Sequence, residues 1–438
     1  VGSEMCIRDR SHTDPIFLLK SPFGHSREGD KDKKTKRLLL YLTQNASLWT
    51  ISHVIEYYRK YKRFFFPLLA LFISLYLVQT ASHFGEKHIP VTGEGKWNRG
   101  SRLCRWDTGF YISIIEQGYR YIPGEQCNLA FFPLYPLMAK LLMSFGFSIP
   151  IALLSISWVS IILSVYLLYG IFLDRFGEKA AQYGIFLIVL YPYAIFWWAA
   201  YTESLKLLFY IAVICFLHKR KYYIAAILSG LNTALHPTGV AVSVTVFFSY
   251  IHDIKPRSLQ ELAHLGILSI ISFFGLIAFV TFTYLQFNDP LAFIHVHKAW
   301  EASNSAFIIK ILNLLFFVPV FQSFIHGHFN LFNPHHLDEF FFLIFAVFII
   351  IDAAKWKRMS FPEYILCIST LLIPYYFTGY ENNMRSMGRY VMCTYPVFGI
   401  AGNWLFYRRC GTKIVIFSVF ILLMVLWSIL FTSWKWVG

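Results

Sequence analysis

"IPIALLSISWVSIILSVYLLYGIFL", Ile149 to Leu173, carries no acidic or basic side chain over its whole length. As a helix it is long enough to cross a bilayer core of about 30 Å. "FFFPLLALFISLYLVQTAS", Phe64 to Ser82, repeats the pattern, and the whole chain of 438 residues is 57% hydrophobic and 19% aromatic but only 14% charged. A soluble domain of this size would hold about a quarter charged residues. The sequence therefore reads as an all-α, polytopic membrane protein.

Charge agrees with that reading. The formal balance of +15 could suggest a polyanionic partner, but the basic residues fall in short clusters between apolar runs. Examples are "RKYKR" (Arg59–Arg63), "HKRK" (His218–Lys221), "KWKR" (Lys355–Arg358) and "YRRCGTK" (Tyr407–Lys413). This is the positive-inside pattern, which sets orientation and gives no reason to expect nucleic acid. Residues 1–63 are expected to form a disordered cytoplasmic segment. Within it, "VGSEMCIRDR" resembles translated adapter sequence and is left out of the fold, "REGDKDKKTKR" is a solvated charge run, and the sequon at Asn45 is a chance match. No cleavable signal peptide is visible. Seven cysteines show no CxxC spacing. Cys104 and Cys127 flank one polar segment, either bonded to each other or, more simply, as two free thiols.

Placing the basic clusters inside predicts eleven crossings within one transmembrane domain, 64–433. The spans fall at 64–82, 147–173, 180–199, 204–218, a pair within 222–251, then 265–286, 337–353, 361–378, 390–407 and 414–433. "HPTG", His236 to Gly239, breaks the pair, because Pro removes a backbone bond and Gly relaxes the turn. Such a break survives at membrane depth only against protein or a watery cavity. The apolar run 308–325 is expected to be re-entrant. A long outer loop, 83–146, joins the first two spans. The unusual polar residues, Asp107, Glu203, His236, Asp289, Arg385 and Arg389, all fall in outer turns.

The outer loop contains "RWDTGFYISIIEQGY", Arg105 to Tyr119. Wound at 100° per residue, it puts Ser113, Glu116 and Gln117 on a watery side and Asp107 among Phe110, Tyr111, Ile114 and Gly118. An acid there must cap the helix, pair or work, and these roles are not exclusive. "NLAFFPLYPLMAKLL", Asn128 to Leu142, suits a helix lying in the membrane interface, as an anchor or as the floor of a lipid groove. In "AYTESLKLL" Thr202 can cap a helix whose N-terminus Glu203 complements, and in "NDPLAF" Asp289 precedes Pro as an N-cap should. Arg385 and Arg389, four apart, either snorkel or bind phosphate. Phe131, Phe132, Trp197, Trp198 and Tyr201 suit an interfacial belt, or sugar stacking. The histidine pairs His295/His297, His326/His328 and His335/His336 lack a companion acid at metal-ligand spacing.

Taken in order, "RWDTGFYISIIEQGY", "AFFPLYPL", "YTESL", "HPTG", "NDPLAFIHVHKAW" and "GRYVMCTYPVF" resemble the successive motifs of the GPI mannosyltransferase class V family and its bacterial relatives. The resemblance spans residues 64–400. It implies a C-type glycosyltransferase fold and a sugar donor carried on polyprenyl or dolichyl phosphate. It also implies a catalytic acid in the first outer loop, which falls on Asp107, with Glu203 matching the acid of the following outward turn. Relatives commonly have Arg before Pro-Thr-Gly where this chain has His236, which weakens the phosphate contact expected there. On this reading the catalytic candidates are Asp107 and Glu203. The substrate-binding candidates are Arg105, Trp106, Tyr111, His236, Asp289, Arg385 and Arg389. The partners are the polyprenyl-phosphate sugar, a lipid or glycan acceptor, and membrane lipids. No cofactor is certain, and a divalent metal ion stays open. A bacterial inner membrane, with the site facing the periplasm or exterior, is the expected location. The rival is a membrane transporter, which calls for paired broken helices with polar groups at the midplane and internal symmetry. This sequence offers one broken pair, and its acids lie at the edges.

Overall fold

Helix α1 (Arg63–His88) opens the computed structural model, which describes residues 63–90, 101–297, 299, 306–315, 334–378 and 384–437. The N-terminal segment 1–62, most of the run 308–325, and the side chains of His326, His328, His335 and His336 lie outside the described residues. Among the described residues every regular element is helical. The protein is an all-α polytopic membrane protein.

Among the described residues three helices are long and apolar enough to cross a bilayer: α1, α4 (Ile149–Phe176) and α18 (Cys410–Thr432); a bent pair, Leu259–Ser272 with Phe274–Phe287, makes a fourth if it is one span. Their ends follow local chemistry. α4 starts after an extended Ser148 with Pro150 in its first turn and stops at Gly177, whose φ of 79° suits only a residue without a Cβ. α5 (Glu178–Val189) turns straight back from there.

Elsewhere several expected spans are broken, for identifiable reasons. The run 180–199 ends as a helix at Val189, ahead of Pro192, and continues as a buried turn into the single turn α6 (Ile195–Trp198). The expected span 265–286 begins earlier, at α10 (Leu259–Ser272), whose Ser258 and Glu261 form a capping box. It bends by 58° at Phe273 into α11 (Phe274–Phe287). Gly275, at the start of α11, lies against the backbone of Gly230 and Ala234, an approach a side chain would block. The span at 390–407 is split into α16 (Met387–Val391) and α17 (Tyr395–Phe406). The break at "HPTG" is as the sequence predicts: α8 (Tyr222–Thr233), a 3-10 turn at Pro237–Gly239, and α9 (Val240–Ile254).

α7 (Glu203–His218) packs between α4 and α8, and α17 packs on α5. Gly402 meets the backbone of Gly184 and Ala180 directly. Small residues at such a crossing let two backbones touch, which is how helices associate without a hydrophobic drive. Trp197, Trp198 and Tyr201 are 0–2% exposed, and Phe132 is 1% exposed. They are core residues and not the interfacial belt expected of them. Between α1 and α4 lie α2 (Thr108–Gln117) and α3 (Leu134–Met143); α3 packs on both α2 and α4. α3 buries Tyr135 and Ala139 but leaves Leu137 and Leu141 exposed, as an interfacial helix should. Cys104 and Cys127 are both buried free thiols.

Candidate active site

The candidate centre is assembled around Arg389, from three distant parts of the chain. Its Nη1 donates to Oδ2 of Asp107 at 2.9 Å and its Nε to Oε1 of Glu203 at 2.6 Å. The guanidinium carbon lies 4.8 Å from the ring centres of both Phe196 and Tyr201. Arg389 is 4% exposed, so it does not snorkel; it is a buried ion-pair residue. Two acids sharing one guanidinium leave one negative charge over. Glu203 is fully buried, and its Oε2 has no partner. Asp107 keeps 17% of its side chain exposed.

Asp107 begins α2 but does not cap it: no amide of the first turn donates to its carboxylate. The residue adopts helical backbone angles, φ −52° and ψ −27°, which turn the side chain away from those amides. The capping role the sequence allowed is therefore replaced by pairing. The other face of α2 is as the helical wheel predicts, with Glu116 and Gln117 exposed and Tyr111 and Ile114 buried. Burial pushes the Asp107 carboxyl above its ordinary value, and the Arg389 charge opposes that shift without cancelling it.

The chain just before Asp107 is held tightly. Trp106 has φ 55°, a left-handed conformation that costs a non-glycine residue about 1–3 kcal/mol. Its indole nitrogen donates to the carbonyl of Phe431 at 3.2 Å, and its ring packs on Trp434 and Trp436. The Tyr201 hydroxyl accepts from the Asp107 amide at 3.1 Å and donates to the Arg105 carbonyl at 3.2 Å. Thr108 Oγ1 donates to the Ala200 carbonyl at 3.1 Å. These contacts sew the acid to the turn before α7. Arg105 points elsewhere, pairing with Glu86 at 2.9 Å and lying over Trp434. Tyr111 is buried against Phe131 and Tyr135. Among the substrate-binding candidates, Arg105, Trp106 and Tyr111 thus support the centre, and Arg385 stands exposed near it.

Asp289 lies in a separate cluster. It accepts from the Leu291 amide at 2.9 Å, from Tyr121 at 3.1 Å, and pairs with His295 Nδ1 at 2.8 Å. Partial burial would raise its pKa, but these contacts outweigh that and hold it below its ordinary value. The Leu291 bond closes a turn ahead of the helix Ala292–His297, so Asp289 stands before that helix and Pro290 is not its first residue. A cleft of about 400 Å³ opens between α2, α3 and α11, lined by Gln117, Tyr119, Pro136, Leu137, Lys140 and Phe282 among others. It lies toward the C-terminal end of α2, away from Asp107. Among the described residues, no three His, Cys, Asp or Glu side chains gather in a way that would hold a metal. The centre's own donor set is two carboxylates already bridged by a guanidinium, which does not fit a divalent ion.

Two residues the sequence reading missed support the centre. Asp338, fully buried, accepts from the amides of Ser386 (2.8 Å) and Gly388 (2.7 Å) and from the Tyr193 hydroxyl (2.9 Å). Ser386 has φ 69°, so this carboxylate clamps a strained turn directly before Arg389. Lys206, three residues after Glu203, is 1% exposed. An acid near the start of an apolar helix (Pro334–Ile351), and a lone lysine in another, gave no pattern to read.

No family model matches the chain, and no curated protein matches it. Among solved structures it is similar to the oligosaccharyltransferase of Archaeoglobus fulgidus. The apo form aligns with a TM-score of 0.47 at 13% identity over 86% of this chain and 56% of that one. The form tethered to an acceptor peptide aligns at 0.45 and 13% identity, over 87% and 56%. The form in complex with an inhibitory peptide and a dolichol-phosphate aligns at 0.41 and 12%, over 86% and 56%. The chain therefore spans about half the length of the proteins it matches.

Proposed function

We propose that this protein is a membrane glycosyltransferase. It moves a hexose, mannose on the lead of the motif resemblance, from a polyprenyl-phosphate donor to a hydroxyl of a lipid or glycan acceptor. Asp107 is the general base. It takes the acceptor proton as that oxygen bonds to the anomeric carbon. The bond from that carbon to the phosphate oxygen breaks, and its electron pair leaves with the phosphate. A single displacement inverts the centre, so a β-linked donor gives an α product. Glycosidases need a second carboxyl as acid because an alkoxide leaves poorly. A phosphate is already a stable anion, and one carboxylate suffices.

One observation carries the reading: Asp107, 17% exposed, is held through Oδ2 by Arg389, while no described residue hydrogen-bonds its other oxygen. The Arg389 pair fixes its orientation, and the raised pKa makes it a better base than a surface aspartate. Glu203, fully buried on the same guanidinium, positions Arg389. The polyprenyl tail stays in the bilayer, and only the sugar phosphate reaches Asp107. The test is to supply membranes with polyprenyl phosphate carrying labelled sugar plus a crude acceptor fraction. Label appearing on the acceptor supports transfer. Label that crosses the membrane still attached to its lipid, or as free sugar, supports the transporter reading instead.

A further inference from the structure

The face of α7 that begins with Glu203 continues, at helical spacing, with Lys206 and Tyr210. Each meets a different part of the centre. Glu203 holds Arg389, and Tyr210 donates to the carbonyl of Thr238 in the "HPTG" turn at 3.3 Å. Lys206 lies between them. Its ammonium stands 5.5 Å from the ring centre of Tyr390, and no hydrogen-bond acceptor among the described residues meets it. A buried lysine is costly unless paired, and this one is 1% exposed.

The same Tyr390 ring lies 6.0 Å from the ring of His236. His236 Nδ1 accepts from the Thr238 amide at 3.1 Å and stands 2.8 Å from the Thr238 hydroxyl. A nitrogen that accepts a backbone N–H carries no proton, so the proton of the neutral ring is on Nε2, which becomes a donor. Arg389, whose Nε and Nη1 are engaged by the two acids, cannot also grip an anion with them.

We propose that Lys206 Nζ and His236 Nε2 form the phosphate subsite of the donor, with Lys206 supplying the positive charge that the leaving phosphate needs. This rests on the transferase reading and refines it: the guanidinium orders the acids, and the lysine binds the phosphate. Anion binding then draws on an ammonium that no carboxylate among the described residues pairs with.

The experiment compares binding of polyprenyl phosphate and of the matching polyprenol to purified protein in nanodiscs. Inorganic phosphate serves as competitor to separate headgroup recognition from capture of the lipid as a whole. Wild type is expected to prefer the phosphate over the alcohol, and inorganic phosphate to erode that preference. Lys206→Met is expected to lose about ten- to a hundredfold of the preference while polyprenol binding holds. Lys206→Arg should restore most of it. If folded Lys206→Met keeps the wild-type preference, the inference is overturned and the transferase reading stands. If wild type shows no preference at all, the lipid-phosphate donor itself is overturned. Should Lys206→Met not fold, Lys206→Gln with His236→Phe decides the matter, because an unchanged preference in both overturns the subsite.

Discussion

Arg389→Met removes the guanidinium that Asp107 and Glu203 share, and the structure says how the loss divides. Opposite charges 2.6 Å apart attract by about 6 kcal/mol at an effective dielectric of about 20, before desolvation is counted. Desolvation takes back much of that, and removing one partner of a buried pair costs about 3–5 kcal/mol, chiefly through the charge left behind. Glu203 is fully buried and cannot turn to water, whereas Asp107 is 17% exposed and can. Most of the loss should therefore be cured by neutralising Glu203. The assay is a double-mutant cycle read as unfolding midpoints in mixed detergent micelles. Arg389→Met with Glu203→Gln should show a coupling of about 2–3 kcal/mol, and Arg389→Met with Asp107→Asn about 1 kcal/mol or less. Equal couplings, or a Glu203 coupling below about 0.5 kcal/mol, would refute the reasoning that the buried acid is the one the guanidinium chiefly serves.

Other outcomes follow from the same geometry. Asp338→Asn keeps the shape but weakens the clamp on the turn before Arg389; it should lose about 1.5–3 kcal/mol of stability and lower turnover, and wild-type behaviour in both would show the clamp idle. Gly402→Ala drives a methyl into the backbone of Gly184 and Ala180, so about 1–3 kcal/mol of destabilisation is expected, with a change under about 0.5 kcal/mol contradicting the tight crossing. A general base must be ionised, so kcat/KM should fall as pH drops through the Asp107 pKa, which burial places above 3.8. An acid limb that survives unchanged in the residual activity of Asp107→Asn would assign that limb to another group.

Much of the architecture was legible because membrane spans announce themselves by length and lack of charge. The breaks were harder. "HPTG" was readable because Pro and Gly dictate the turn locally. The bend at Phe273 was not: no Pro or Gly stands at that residue, and the close approach of Gly275 to the backbone of Gly230 and Ala234 is a tertiary contact absent from local composition. The aromatic run Trp197–Tyr201 looked like a membrane belt because composition cannot distinguish an interface from a core. Asp107, Glu203 and Arg389 were each singled out, but that a single guanidinium joins two of the acids was invisible. Arg389 is 186 residues from Glu203 and 282 from Asp107, and only tertiary packing brings them together. Arg105, expected to face substrate, pairs instead with Glu86, nineteen residues earlier, a tertiary contact that local sequence does not announce.

The most direct measurement is the turnover of Asp107→Asn, normalised to folded protein, in membranes given the polyprenyl-phosphate sugar and its acceptor. Asparagine preserves size and can still accept a hydrogen bond from Arg389, but it cannot take a proton. The account requires turnover to fall about 10²–10⁴-fold with lipid-phosphate binding retained. Turnover within a few fold of wild type would contradict it.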